Sequence, residues 1–173
     1  MGKVLSIAAA LCAALAGALL GGCNTAGCTD NQSSLPLAGF YNSDGNAVSI
    51  DSLAVWGVGA PGDSLLLAPS TPASQLYLPL RSTATETSFC FAYRTAELDD
   101  PRLQDTLTLA YTSTPWFISE ECGAGFRYTI TRMNVTHHLI DSVKITDSLA
   151  TNIDREILRI YFHTAEPEEG SEL

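Results

Sequence analysis

Asp105-Thr106-Leu107-Thr108-Leu109 sets an acid and a hydroxyl residue ahead of apolar side chains at every second position. Period-two alternation is the signature of a strand with one covered face. The pattern recurs as Asp51-Ser52-Leu53-Ala54-Val55, Asp63-Ser64-Leu65-Leu66-Leu67 and Asp141-Ser142-Val143-Lys144-Ile145, with Asp147-Ser148-Leu149 as a partial copy. An Asp and a Ser or Thr at a strand start satisfy backbone groups of the preceding turn while the apolar set points inward. The copies are irregularly spaced, which argues against a solenoid.

Around these starts the chain reads as strands near Leu35 to Tyr41, Ala47 to Val58, Ser64 to Leu67, Gln75 to Leu80, Thr87 to Tyr93, Thr106 to Thr112, Phe126 to Met133, Leu139 to Thr146 and Glu156 to Phe162. Asp44-Gly45, Pro61-Gly62, Pro69 to Pro72 and Asp99 to Pro101 separate them as turns. No segment has convincing helical periodicity. The expected fold is all-β, a single antiparallel β-sandwich, immunoglobulin-like or related, over residues 35–163. Residues 164–173 form an acidic tail expected to be disordered.

The N-terminus has another character. Lys3 is followed by an uncharged run from Val4 to Leu20, and Leu20-Gly21-Gly22-Cys23 closes it. The string resembles a lipobox, in which residues 1–22 are a lipoprotein signal peptide and Cys23 takes the lipid. Each buried methylene of an acyl chain contributes about 0.8 kcal/mol, so several chains make a durable anchor. Residues 23–34 then form a polar tether. Removing 22 of 173 residues leaves 151, enough for one domain with a core. Without Lys3, 19 acidic residues face 8 basic ones, a formal charge of −11 that makes nucleic acid and anionic lipid headgroups poor partners.

Export would place the cysteines in an oxidising compartment. Cys12 leaves with the leader and Cys23 takes lipid, so Cys28, Cys90 and Cys122 remain. Alternation in Ser88 to Arg94 puts Phe89, Phe91 and Tyr93 on one face, opposite Cys90 and Ala92. Cys90 then fits as a small buried hydrophobe. A Cys28 to Cys122 bond would tie the tether to the body with about 4 to 5 kcal/mol of chain entropy; other pairings and free thiols remain open.

Chemistry-bearing motifs are sparse. Gly57-Val58-Gly59-Ala60-Pro61-Gly62 matches a dinucleotide-binding string, but Pro61 and the strand-like Leu65 to Leu67 leave no helix to meet a pyrophosphate. His137 and His138 would point to opposite strand faces, leaving His163 alone, so neither a metal site nor a cofactor site is expected. No G-x-S-x-G elbow frames a serine, and no catalytic residue is assigned. Asn42, Asp44, Asn46 and Asp51 surround Gly45 like a partial calcium loop, which a hairpin turn explains as well. Trp56 and Trp116 could stack on sugars if exposed but are expected in the core. The five Asp-Ser/Thr-apolar tripeptides also resemble the O-glycosylation signal of Bacteroidota, and composition would supply roughly one by chance. The candidate acceptors are Ser52, Ser64, Thr106, Ser142 and Ser148.

Several features together resemble a family of small Bacteroidota lipoproteins of unknown function. They are Cys23 with nearby Cys28, Leu53-Ala54-Val55 behind Asp51-Ser52, Leu78-Pro79-Leu80 before Phe89, and Ile118-Ser119-Glu120-Glu121-Cys122-Gly123. His138-Leu139-Ile140-Asp141-Ser142-Val143 and the closing strand Leu158 to Phe162 complete the set. The resemblance implies the Cys28 to Cys122 pairing, marks Cys90 as a variable extra, and implies no reaction. After Cys23, Asn24-Thr25-Ala26-Gly27 lacks the acidic cluster that resembles the surface-export signal of such lipoproteins. The expectation is therefore an outer-membrane lipoprotein with a periplasmic domain, held by its acyl chains. It would serve as a structural or interaction module for another envelope protein. The alternative is a calcium- or glycan-binding lipoprotein.

Overall fold

A computed structural model describes residues 33–61, 64–120 and 122–163. Residues 1–32, expected to hold a signal peptide, Cys23 and Cys28, lie outside the described residues, as do Asp63 and residues 164–173. Ten strands follow in order: β1 (Leu37–Tyr41), β2 (Leu53–Gly57), β3 (Leu65–Leu67), β4 (Gln75–Tyr77), β5 (Glu86–Tyr93), β6 (Asp105–Ser119), β7 (Gly123–Val135), β8 (Ile140–Ile145), β9 (Leu149–Ala150) and β10 (Glu156–Phe162). A 3₁₀ turn at Pro101–Leu103, capped by the Asp100 side chain, leads into β6. Among the described residues there is no α-helix.

The strands form two sheets, ordered β4-β1-β10-β8 and β3-β2-β5-β6-β7-β9. The six-stranded sheet is antiparallel throughout and curls into a half-barrel. The other corrects the expectation of a wholly antiparallel fold, because β1 and β10 pair in parallel, Ala38 against Leu158 and Phe40 against Ile160. Parallel neighbours need a long crossover, and here nearly the whole domain lies between the two partners.

Alternation places the core as read from the sequence. Leu53 and Val55 of β2, Phe89 and Phe91 of β5, and Leu107, Leu109 and Tyr111 of β6 face Ala38, Phe40, Ile140, Leu158, Ile160 and Phe162 of the smaller sheet in one buried cluster. Phe40 and Phe162 meet edge to face at 5.3 Å. On the outer face of that sheet Glu156 accepts from Tyr41 Oη at 2.6 Å and from Arg159 Nε at 2.7 Å. A Cβ on Gly39 would come within 2.0 Å of Glu156 Oε2, so only glycine lets that carboxylate lie across β1.

Three boundaries depart from expectation. Ala47 to Val58 is not one strand: Ala47 and Ile50 make isolated bridges, and Ser52 at φ 57° turns the chain before β2 begins. Left-handed backbone is uncommon outside glycine, and a residue there breaks strand continuity. β6 and β7 run well beyond Thr112 and start before Phe126, pairing as a hairpin out to Ser119 and Gly123. Short β9 was not foreseen.

Replacing Phe162 by Ala removes a fully buried ring from the closing strand and is expected to cost about 3–5 kcal/mol. Urea unfolding reads this as a lower midpoint at unchanged slope; a change below 1 kcal/mol would contradict the packing.

Candidate functional site

Asp105 opens β6 with a side chain fully shielded from solvent, and its carboxylate gathers five donors. Oδ1 accepts from Thr136 Oγ1 at 2.6 Å, His138 N at 2.9 Å and His138 Nδ1 at 3.0 Å. Oδ2 accepts from Leu139 N and Ile140 N, both at 2.7 Å. Successive N–H groups form an anion-binding nest, and here a side chain of the same molecule fills it. Burial alone would push this carboxyl up, but the bonds from Thr136 and from the backbone at 138–140 outweigh it and hold it below the usual carboxylate range.

The residues it grips are the β7–β8 connection, where the chain leaves the six-stranded sheet for the four-stranded one. Thr136 Oγ1 also accepts from Thr106 N at 2.9 Å, and Thr136 N donates to Thr106 O, so the motif's hydroxyl neighbour is bound into the same turn. His163 N reaches Leu139 O and fastens the end of β10 there.

This corrects the reading of the histidines as opposed residues on a strand. Both stand in the β7–β8 connection, where alternation does not apply. The His138 ring donates to Asp105, while His137 Nδ1 lies 2.8 Å from Asp141 O. An imidazole oriented through Nδ1 by a buried aspartate is two parts of a nucleophilic triad. The bonds described for His138 bring it no serine, threonine or cysteine as the third. The pair's visible work is structural.

The remaining site candidates separate. Asn42, Asp44 and Asn46 close a turn on themselves, with Asn42 Oδ1 accepting from Asn46 N at 2.8 Å, so that oxygen already has its donor. Among the described residues no three His, Cys, Asp or Glu side chains gather as a metal site. Asp147 behaves as a strand-start acid should, accepting from Leu149 N at 2.8 Å ahead of β9. Of the hydroxyls, Ser64 and Ser148 are exposed and Ser52, Thr106 and Ser142 half-buried. Cys90 is free and buried; burial chiefly, with Asp105 adding and Arg94 opposing, pushes its thiol up, which makes it a poor nucleophile. Cys122 is disulfide-bonded, and its partner lies outside the described residues.

Two phenols organise the far half of β6 and β7. Tyr111 Oη accepts from Arg81 N and donates to Arg81 O, both at 3.0 Å, and lies 2.8 Å from Thr87 Oγ1. Tyr128 meets the Tyr111 ring edge to face at 5.5 Å. Beside them opens a cleft of about 600 Å³, lined by Ser33, Leu35, Leu80, Gly125, Phe126 and Tyr128. The expectation that Trp116 lies in the core fails, since it is 40% exposed. Trp56 is half-buried under Arg94.

Replacing Asp105 by Asn turns one acceptor into a donor facing backbone N–H groups, and a loss of about 3–5 kcal/mol is expected. Because the folded carboxyl lies below its unfolded value of about 3.9, its contribution is complete above that pH and lost as pH falls through the folded value. Melting curves from neutral pH downward should show wild type losing part of its lead over Asp105→Asn below about pH 4; parallel curves would refute it.

No curated protein and no solved structure matches this chain. Residues 52–162 match a family of unknown function, DUF6452, from Ser52 at the left-handed turn to Phe162 at the end of β10. The match spans the Asp105 clamp and both phenols and begins after Cys23 and Cys28, and with more than half of its length matched the chain belongs to that family.

Proposed function

We propose that this chain is a lipid-anchored protein of the cell envelope, whose two-sheet domain is a structural or interaction module rather than an enzyme. In this reading residues 1–22 are removed, Cys23 is acylated and anchors the chain in the outer membrane, and the domain faces the periplasm beside another envelope protein. The observation that carries it is the disulfide state of Cys122, with its partner outside the described residues. A disulfide suits an exported protein, and Cys28, five residues past the lipobox cysteine, is the proposed partner. The structural role of the Asp105–His138 pair supports a module over a catalyst.

Intact mass of the protein from its native host should show the chain shortened by residues 1–22 and increased by acyl groups, while Cys23→Ala should release it from membranes. A full-length, unmodified mass would sink the reading. Any mass beyond the lipidated polypeptide should map first to exposed Ser64 or Ser148; none would remove O-glycosylation. Non-reducing peptide maps should join Cys28 to Cys122. Cys28→Ser should expose one new thiol and cost about 2–5 kcal/mol; an unchanged thiol count would assign the bond elsewhere.

A further inference from the structure

β5 pairs with β6 only over Asp105 to Ala110, and β9 touches β7 only at Tyr128 and Thr129. Beyond them, residues 112–119 and 123–127 pair with each other and, among the described residues, with no third strand. They form an arm that continues past the core. Pro115, Phe117, Ala124 and Phe126 lie on the face that carries Tyr111 and Tyr128 further back, yet Phe117 is 63% exposed and Phe126 38%. On the other face Trp116 stacks with the Arg127 guanidinium at 4.7 Å. Three large aromatics thus stand at the tip of a two-stranded ribbon, a structure that is marginal by itself in water.

The chain outside the described residues leads to this arm from two directions. Ser33, the first of the described residues, lines the cleft beside Gly125 and Phe126. Cys122, in the arm's turn, is disulfide-bonded with its partner outside the described residues, and Cys28 is the proposed partner. With residues 1–22 removed as proposed, the part of the N-terminal segment left after Cys23, Asn24 to Gln32, contains no apolar side chain larger than Ala26 and Cys28 to cover the aromatics. A bilayer can cover them. Trp favours the membrane–water boundary, where its apolar ring and its polar N–H are both accommodated, and exposed Phe rings gain by leaving water for the apolar layer below it.

We propose that the arm tip, Phe117 and Phe126 with Trp116, inserts into the interfacial layer of the membrane that holds the anchor. The proposal rests on the lipid anchor at Cys23. With Cys28 joined to Cys122, the acylated cysteine stands five residue steps from the arm's disulfide, about 17 Å fully extended. Arg127 balances Glu120 at the arm, and the chain's net negative charge favours a zwitterionic surface over an anionic one.

The test uses the full-length, lipidated protein in phosphatidylcholine vesicles. Trp56→Phe, Trp116→Phe and Phe117→Trp together leave one fluorescent reporter at the arm tip. Expected are a blue-shifted emission on reconstitution and stronger quenching by lipids spin-labelled near the headgroup than by those labelled deep in the chain. Co-flotation with vesicles without shift or quenching would overturn the arm contact while leaving the anchor intact. An unlipidated mass with no flotation would overturn both. The wild-type chain, with Trp116 as reporter beside half-buried Trp56, gives the same reading should the triple variant fail to fold.

Discussion

The fold depends on one buried carboxylate. Where a chain crosses between sheets, its backbone N–H groups leave one ladder before joining the next, and each buried donor left unmade costs about 1–3 kcal/mol. At the β7–β8 crossing three successive N–H groups, from His138 to Ile140, would face that cost together. Asp105 satisfies all three, and they in turn stabilise a charge that could not stay buried alone. Thr136 and the His138 ring complete the shell. Neutralising the acid or shifting the crossing by one residue would undo both halves of the arrangement.

Asp105 belongs to β6, and β6 also carries the second tie. Tyr111 is six residues further along, about 20 Å at strand rise, and its phenol holds Arg81 in the connection from β4 to β5. Ser113 adds a bond to Ser82 O at 2.8 Å. One central strand therefore fastens two of the passages between the sheets, near its start and its middle, while Leu107 and Leu109 between them fill the core. These polar ties satisfy backbone groups at Arg81 and at 138–140 where the chain crosses beside the apolar layer.

The strands and their inward faces were legible in the sequence because alternation reports which side chains share a face. Whether that face is covered is a different matter. Leu107 and Phe117 sit on the same face of β6, yet one is fully buried and the other 63% exposed, since only the first has a sheet opposite it. Trp116 reads as core from its apolar neighbours, but it stands on the opposite face of β6, stacked with Arg127. The acid of the opening motif was recognisable as a strand-start residue, but nothing local distinguishes buried Asp105 from exposed Asp51, because Asp105's donors lie more than thirty residues away. The parallel pairing of β1 with β10 was invisible for that reason too. The opposed placement of His137 and His138 fails because strand alternation does not hold in the connection between β7 and β8. Cys23 and Cys28 remain sequence readings, outside the described residues.

The edges of the two sheets give the arm its significance. Exposed strand edges template aggregation, and short edge strands limit it. Here β3 and β4 have three residues each and β9 two, with β8 the longest at six. The arm departs from this economy, since over residues 112–119 and 123–127 neither of its strands has a second neighbour among the described residues. Pro115 removes one donor from one side, as proline can only where a strand is an edge, but the other donors and three exposed aromatics remain. A freely diffusing domain would present that ribbon to every copy it met. Under the proposed lipid anchor, a short tether joined at Cys122 would instead turn the ribbon toward a membrane, leaving the blunted edges as the surface open to other proteins.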